Sequence, residues 1–132
     1  MAELLVPISP GELIDKITIL EIKSQRMTDA AKLHNVRTEL SMLSDTWKAS
    51  PYAATDIAAE WAALRDVNAK LWDIEDDIRD KERDGRFDAG FIELARAVYV
   101  TNDERAAIKK RINTKLGSSL VEEKSYAAYR RE

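Results

Sequence analysis

Leu71-Trp72-Asp73-Ile74-Glu75-Asp76-Asp77-Ile78-Arg79 is the stretch that decides the fold, and it lies within a helical run from Thr55 to Arg83. At about 100° per residue, Ile57, Trp61, Leu64, Leu71 and Ile78 fall on one stripe, which Val67, Trp72 and Ile74 widen. The same wheel places Asn68, Glu75 and Arg79 inside the stripe and turns Asp73, Asp77 and Asp80 away from it. An inward polar group must be paired, because burying it alone costs on the order of 1–3 kcal/mol and more for a charge. This run therefore reads as the core helix, with partners for its inward polar groups supplied by other helices.

Working outward, Leu4-Leu5-Val6-Pro7-Ile8 is an apolar lead-in kept extended before proline and expected to lie against the bundle. Ser9-Pro10-Gly11-Glu12 reads as a helix start, with Ser9 as N-cap, Pro10 in the first position and Glu12 reaching back as the capping-box acid. The helix continues to about Met27, its main apolar face formed by Leu13, Ile14, Ile17 and Leu20, with Glu21 projecting inward. Leu33, Val36, Leu40, Leu43 and Trp47 then repeat with the spacing of a narrow coiled-coil seam on a peripheral helix, which a second copy of the chain can complete as a homodimer. Beyond Gly85, Asp88 caps a fourth helix carrying Phe91, Leu94 and Val98, and Thr101-Asn102-Asp103-Glu104 reads as a capping box opening a fifth through Leu116. On that fifth helix Arg105 shares a stripe with Ile108, Ile112 and Leu116. Gly117-Ser118-Ser119 ends it. The expected architecture is all-α, an up-and-down bundle of four to five helices in one domain over 1–132, with 1–8 extended and a 117–132 tail docked on the bundle.

Composition narrows the function. Of 132 residues 34% are charged and 45% hydrophobic, and net charge is −3 with both signs interspersed, so no basic stripe advertises nucleic acid. With no Cys and His34 alone, thiolate chemistry and His-centred triads or metal clusters are excluded. The N-terminal residues lack the pattern of a signal peptide and no apolar run reaches membrane-span length, so a cytoplasmic location is expected. No cofactor is required by any motif.

Two constellations can carry chemistry. Glu21, Asn68, Glu75, Arg79 and Arg105 point inward from three helices; they form either a buried network that fixes register or a pocket for a small anionic ligand met by the two arginines. Separately, Glu12 and Asp15 on the first helix and Asp73, Asp76, Asp77 and Asp80 on the third have carboxylate spacings that can share a hard divalent cation. The bland reading of that second set is a solvated acidic face. Likewise, Trp47, Trp61 and Trp72 sit at core spacing, and Lys109, Lys110, Arg111 and Lys115 complement a helix C-terminus.

The strings Gly11 to Lys23, Leu71 to Arg79, Asn102 to Lys109 and Glu122-Glu123-Lys124-Ser125-Tyr126 resemble, over nearly the whole chain, a family of small bacterial proteins of unknown function. Some of these are similar to proteins encoded near glycosyltransferase and surface-polysaccharide genes. The resemblance implies a helical bundle loosely tied to sugar metabolism, identifies no reaction and carries no catalytic residue across; the function expected first is a non-catalytic accessory or interaction protein with a protein partner in glycan assembly. Inward Glu and Arg on helices also give a looser likeness to all-α nucleotide pyrophosphatases, which would imply a divalent-metal-dependent hydrolase, and to helical chorismate mutases.

Overall fold

The computed structural model describes residues 3–129; Met1, Ala2 and the last three residues of the expected tail lie outside the described residues. Its helices are α1 (Pro10–Arg26), α2 (Ala30–Ala49), α3 (Ala58–Arg83) and α4 (Ala89–Leu116), with a 3-10 turn at Pro51–Ala54 and no strand among the described residues. The all-α bundle is therefore present with four helices.

α1 starts where Ser9 caps it. The Ser9 hydroxyl accepts from the Glu12 N–H at 3.2 Å and Pro10 occupies the first turn, where a missing N–H costs nothing. Glu12 does not reach back as a capping-box acid; its carboxylate goes to Lys109 on α4. Asp29 caps α2 and Asp88 caps α4 by the same device. Gly117 ends α4 at φ +67°, where the Gly117 and Ser118 N–H groups return to the carbonyls of Thr114 and Asn113 in a Schellman pattern that needs a left-handed residue.

Three expectations are corrected. First, α4 is one unbroken helix through Thr101, which is buried in its middle, so the Thr101 to Glu104 string caps nothing. A capping box marks a start only where the preceding backbone leaves the helix, and Val98-Tyr99-Val100 stays helical. Second, the helix with the most buried residues is α1, which contacts α2, α3 and α4 and buries Leu13, Ile14, Ile17, Leu20 and Ile22. α3 buries only Leu64, Asn68 and Ile74 within its own span. Third, the lead-in does not lie against the bundle: Leu4 is 93% and Leu5 86% exposed.

Charge pairs set the helix directions. Glu60 near the start of α3 meets Lys115 near the end of α4, and Lys81 near the end of α3 meets Asp88 at the start of α4, so the two run antiparallel. α1 also opposes α4, because Gly11, Glu12 and Asp15 meet Asn113, Lys109 and Arg105 in descending order. The core cluster is Leu13, Ile14, Ile17, Ile57, Leu64, Ile108 and Ile112, and Leu40, Leu43 and Trp47 of α2 pack on it. The α2 seam is thus used within the chain, with Trp47 edge-on to Trp61 at 5.8 Å. The tail lies beside α4 without helix or strand, tied by Glu122 to Lys109 and by Lys124 to Asp103, with most of its side chains exposed.

Candidate functional site

Between α1 and α4 lies a ladder of polar rungs. Arg105, Lys109 and Asn113 recur every four residues on α4, which puts them on one face, and each meets α1. At the first rung the Gly11 N–H donates to Asn113 Oδ1 at 2.7 Å. At the second, Lys109 Nζ donates to Glu12 Oε2 at 2.7 Å and also pairs with Glu122 of the tail at 2.7 Å. The third is a bidentate pair: Arg105 Nη2 and Nε donate to the two Asp15 carboxylate oxygens at 2.6 and 2.9 Å.

Asp15 is 1% exposed, and α3 completes its shell. Asn68 Nδ2 donates to Asp15 Oδ1 at 3.0 Å and to Thr18 Oγ1 at 2.9 Å, while the Thr18 hydroxyl donates to the Asp15 backbone carbonyl. Hydrogen bonding to Asp15 raises the Arg105 pKa, against the opposing effect of burial. For Lys109, burial alone would push the ammonium down, but the Glu12 and Glu122 carboxylates outweigh it and its pKa stands above the ordinary 10.5. A raised folded-state pKa gives stabilisation that is complete below the unfolded value and is lost as pH rises through the folded one. The midpoint of thermal unfolding should therefore fall as pH climbs past about 10.5, and Lys109→Met should flatten that alkaline limb. An unchanged limb in the variant would assign the loss to other groups.

Beside the ladder a cleft of about 420 Å³ opens between α1, α3 and α4. Ile19, Leu71 and Trp72 form its apolar wall; Asn68, Glu75, Asp76, Arg79, Asn102 and Arg105 supply its polar lining. The structure so brings together four of the five expected inward residues. Glu21 is elsewhere: it faces the N-terminal half of α3, pairing with Arg65 at 3.1 Å and accepting from the Trp61 indole N–H at 3.3 Å.

Glu75 and Arg79 do pair, at 3.3 Å, but not in a buried network, since their side chains are 44% and 79% exposed. The cause is length: α3 has 26 residues and α1 has 17, and in the second half of α3 Ile74 is the residue that is buried. Glu75→Ala should accordingly cost no more than about 1 kcal/mol in chemical denaturation, the range of an exposed helix pair. A loss of several kcal/mol would mean that Glu75 is shielded in solution.

The acidic residues expected to share a cation do not assemble. Glu12 and Asp15 are taken by Lys109 and Arg105, Asp73 pairs with Arg26 at 2.7 Å, and Asp80 pairs with Arg83 at 2.9 Å. Asp76 lies at the cleft and Asp77 is exposed on α3. Among the described residues no three His, Cys, Asp or Glu side chains are grouped to hold a metal. Asp15 was legible only as a member of that acidic set. The missed signal was on α4, where Arg105, Lys109 and Asn113 run at i, i+4 and i+8 beside Ile108 and Ile112.

Fold and site together define an all-α protein built on a buried Asp15–Arg105–Asn68 network, and among the described residues no helix is long and apolar enough to cross a membrane. The chain belongs to DUF6165, a family of unknown function, whose profile matches residues 4–130. Among curated proteins and among solved structures, none matches the chain.

Proposed function

We propose that this is a cytoplasmic, non-catalytic interaction protein that engages a protein partner through the apolar arm at residues 4–8. One observation carries the reading: Leu4, Leu5 and Val6 are 93%, 86% and 69% exposed on a segment outside helix and strand, ahead of a well-capped helix. Large apolar side chains held in water are unfavourable by roughly 1.5–3 kcal/mol each relative to burial, and contiguous exposed apolar surface marks sites of association. A short apolar segment outside the bundle also suits insertion in a partner's groove. The partner class we propose is a glycan-assembly enzyme, and what supports it is the resemblance of the sequence strings to proteins encoded near surface-polysaccharide genes. For a homodimer, the arm is a freer surface than the α2 seam, which already packs on the core.

The test is a photoreactive amino acid at position 5 of the full chain, with position 77 as a control, followed by identification of the adducts. A distinct protein crosslinked from position 5 and not from 77 supports the reading; adducts only to a second copy redirect it to a homodimer, and no adduct overturns it. Replacing Leu4, Leu5 and Val6 together by Ser should leave stability within about 0.5 kcal/mol, because these side chains are already in water, while abolishing the adduct. Circular dichroism melts of the variant check the first half of that expectation.

A further inference from the structure

The cleft beside the ladder has a chemistry that the arm does not explain. Asn68 is 5% exposed, and the Asp15 carboxylate fixes its amide orientation, because only Nδ2 can donate to it. Both hydrogen bonds of Asn68 use Nδ2, so Oδ1 carries none from the protein, and Asn68 lines the cleft. This carbonyl oxygen is not sealed from solvent, so in the cleft it can accept from water or from a ligand hydroxyl that takes the water's place. Arg105 is arranged in the complementary sense. Its Nε and Nη2 are committed to Asp15, whereas Nη1 has only a long 3.4 Å contact to Asn102 Oδ1 and can donate into the cleft.

Charge then selects among ligands. Arg105 is neutralised by Asp15, Arg79 by Glu75, and Asp76 adds a further carboxylate, so two cations stand against three anions. A phosphate or polycarboxylate would meet a field that is negative overall, because each guanidinium charge is already balanced by a carboxylate although some of its N–H groups remain open. A neutral molecule with several hydroxyls meets the opposite situation, since each O–H can donate to Asn68 Oδ1 or a carboxylate and accept from a guanidinium. Ile19, Leu71 and Trp72 offer a surface for the C–H side of a ring. The volume of about 420 Å³ lies at the small end of ligand pockets, which run from roughly 300 to 1,000 Å³.

We infer that the cleft between α1, α3 and α4 is a binding site for one small neutral polyhydroxy ring, of monosaccharide or cyclitol size, held by Asn68, Arg105 and Glu75. The network under Asn68 and Arg105 presets both groups and limits the ordering cost of binding.

Nitrogen-labelled full chain titrated with glucose, galactose, N-acetylglucosamine and myo-inositol, and in parallel with inorganic phosphate and citrate, tests this. At millimolar concentration at least one neutral compound should shift the Asn68 side-chain amide and the Trp72 indole signals along a saturable curve, and phosphate and citrate should leave them in place. Because Asn68→Ala disturbs Asp15 and can unfold the protein, the variants are Glu75→Gln and Arg79→Ala, whose side chains are largely in water; Glu75→Gln should weaken binding several-fold and Arg79→Ala less. No saturable shift with any of the four neutral compounds overturns the assignment, as does tighter binding of phosphate or citrate, which would make the cleft an anion site.

Discussion

Replacing Asp15 by alanine is expected to destabilise the fold by about 3–5 kcal/mol, the range found when one member of a buried ion pair is removed. Asp15 is 1% exposed and receives two hydrogen bonds from Arg105 and one from Asn68. Alanine leaves the guanidinium, whose side chain is only 29% exposed, without its counter-charge. The Asn68 amide loses one of its two acceptors as well. The double variant Asp15→Ala/Arg105→Met should recover much of the loss, because replacing a whole buried pair by apolar groups is often close to neutral. Urea unfolding of the two single variants and the double gives the coupling energy directly. Asp77→Ala, on the exposed side of α3, serves as the control and should stay within about 0.5 kcal/mol. An Asp15→Ala loss near that of the control would show that the carboxylate is not held as described.

How much of this was legible in the sequence depends on how local the cause is. Ser9-Pro10, Asp88 and Gly117 act on the backbone within one turn, and each stands where its chemistry requires. Thr101 to Glu104 misled because the string carries no information about whether Val100 is already helical; tertiary packing of a 28-residue α4 along α3 decides that. α3 looked central because its wheel is clean, whereas α1, apolar on several faces, is the helix with three neighbours. A clean stripe marks one contact surface, and a helix with several partners blurs its own.

The site divides in the same way. Asn68 and Arg105 were legible as polar residues inside apolar stripes, and both reach Asp15. Glu75 and Arg79 sit on the same stripe about two and three turns beyond Asn68, but a wheel does not register that α1 is the shorter helix. Asp15 was not legible as the hub. Beside Glu12 it forms an acidic i, i+3 pair like those on any solvated face, and its cation lies 90 residues away. Only the fold brings those two charges to one place.

The second large effect is at Gly11, where substitution by alanine is expected to cost about 2–4 kcal/mol, overpacking and a lost buried hydrogen bond acting together. A Cβ there would stand 2.6 Å from the Lys109 carbonyl oxygen and 3.0 Å from Asn113 Oδ1. The first obstacle is backbone within an intact helix and cannot swing aside, so α1 and α4 must separate. The second is the acceptor of the Gly11 N–H, so separation also strips the first rung of the ladder and loosens the Lys109 and Arg105 rungs beyond it. Helix propensity works the other way, favouring alanine by about 1 kcal/mol, and is already outweighed in the range given. Gly90 is the contrast: a Cβ there meets the mobile end of Lys81 at 3.0 Å, so Gly90→Ala should be neutral or slightly stabilising. Urea titrations of the two variants measure the difference. If Gly11→Ala proves as mild as Gly90→Ala, the close approach of α1 to α4 is looser than these distances, and the ladder holds the helices apart rather than together.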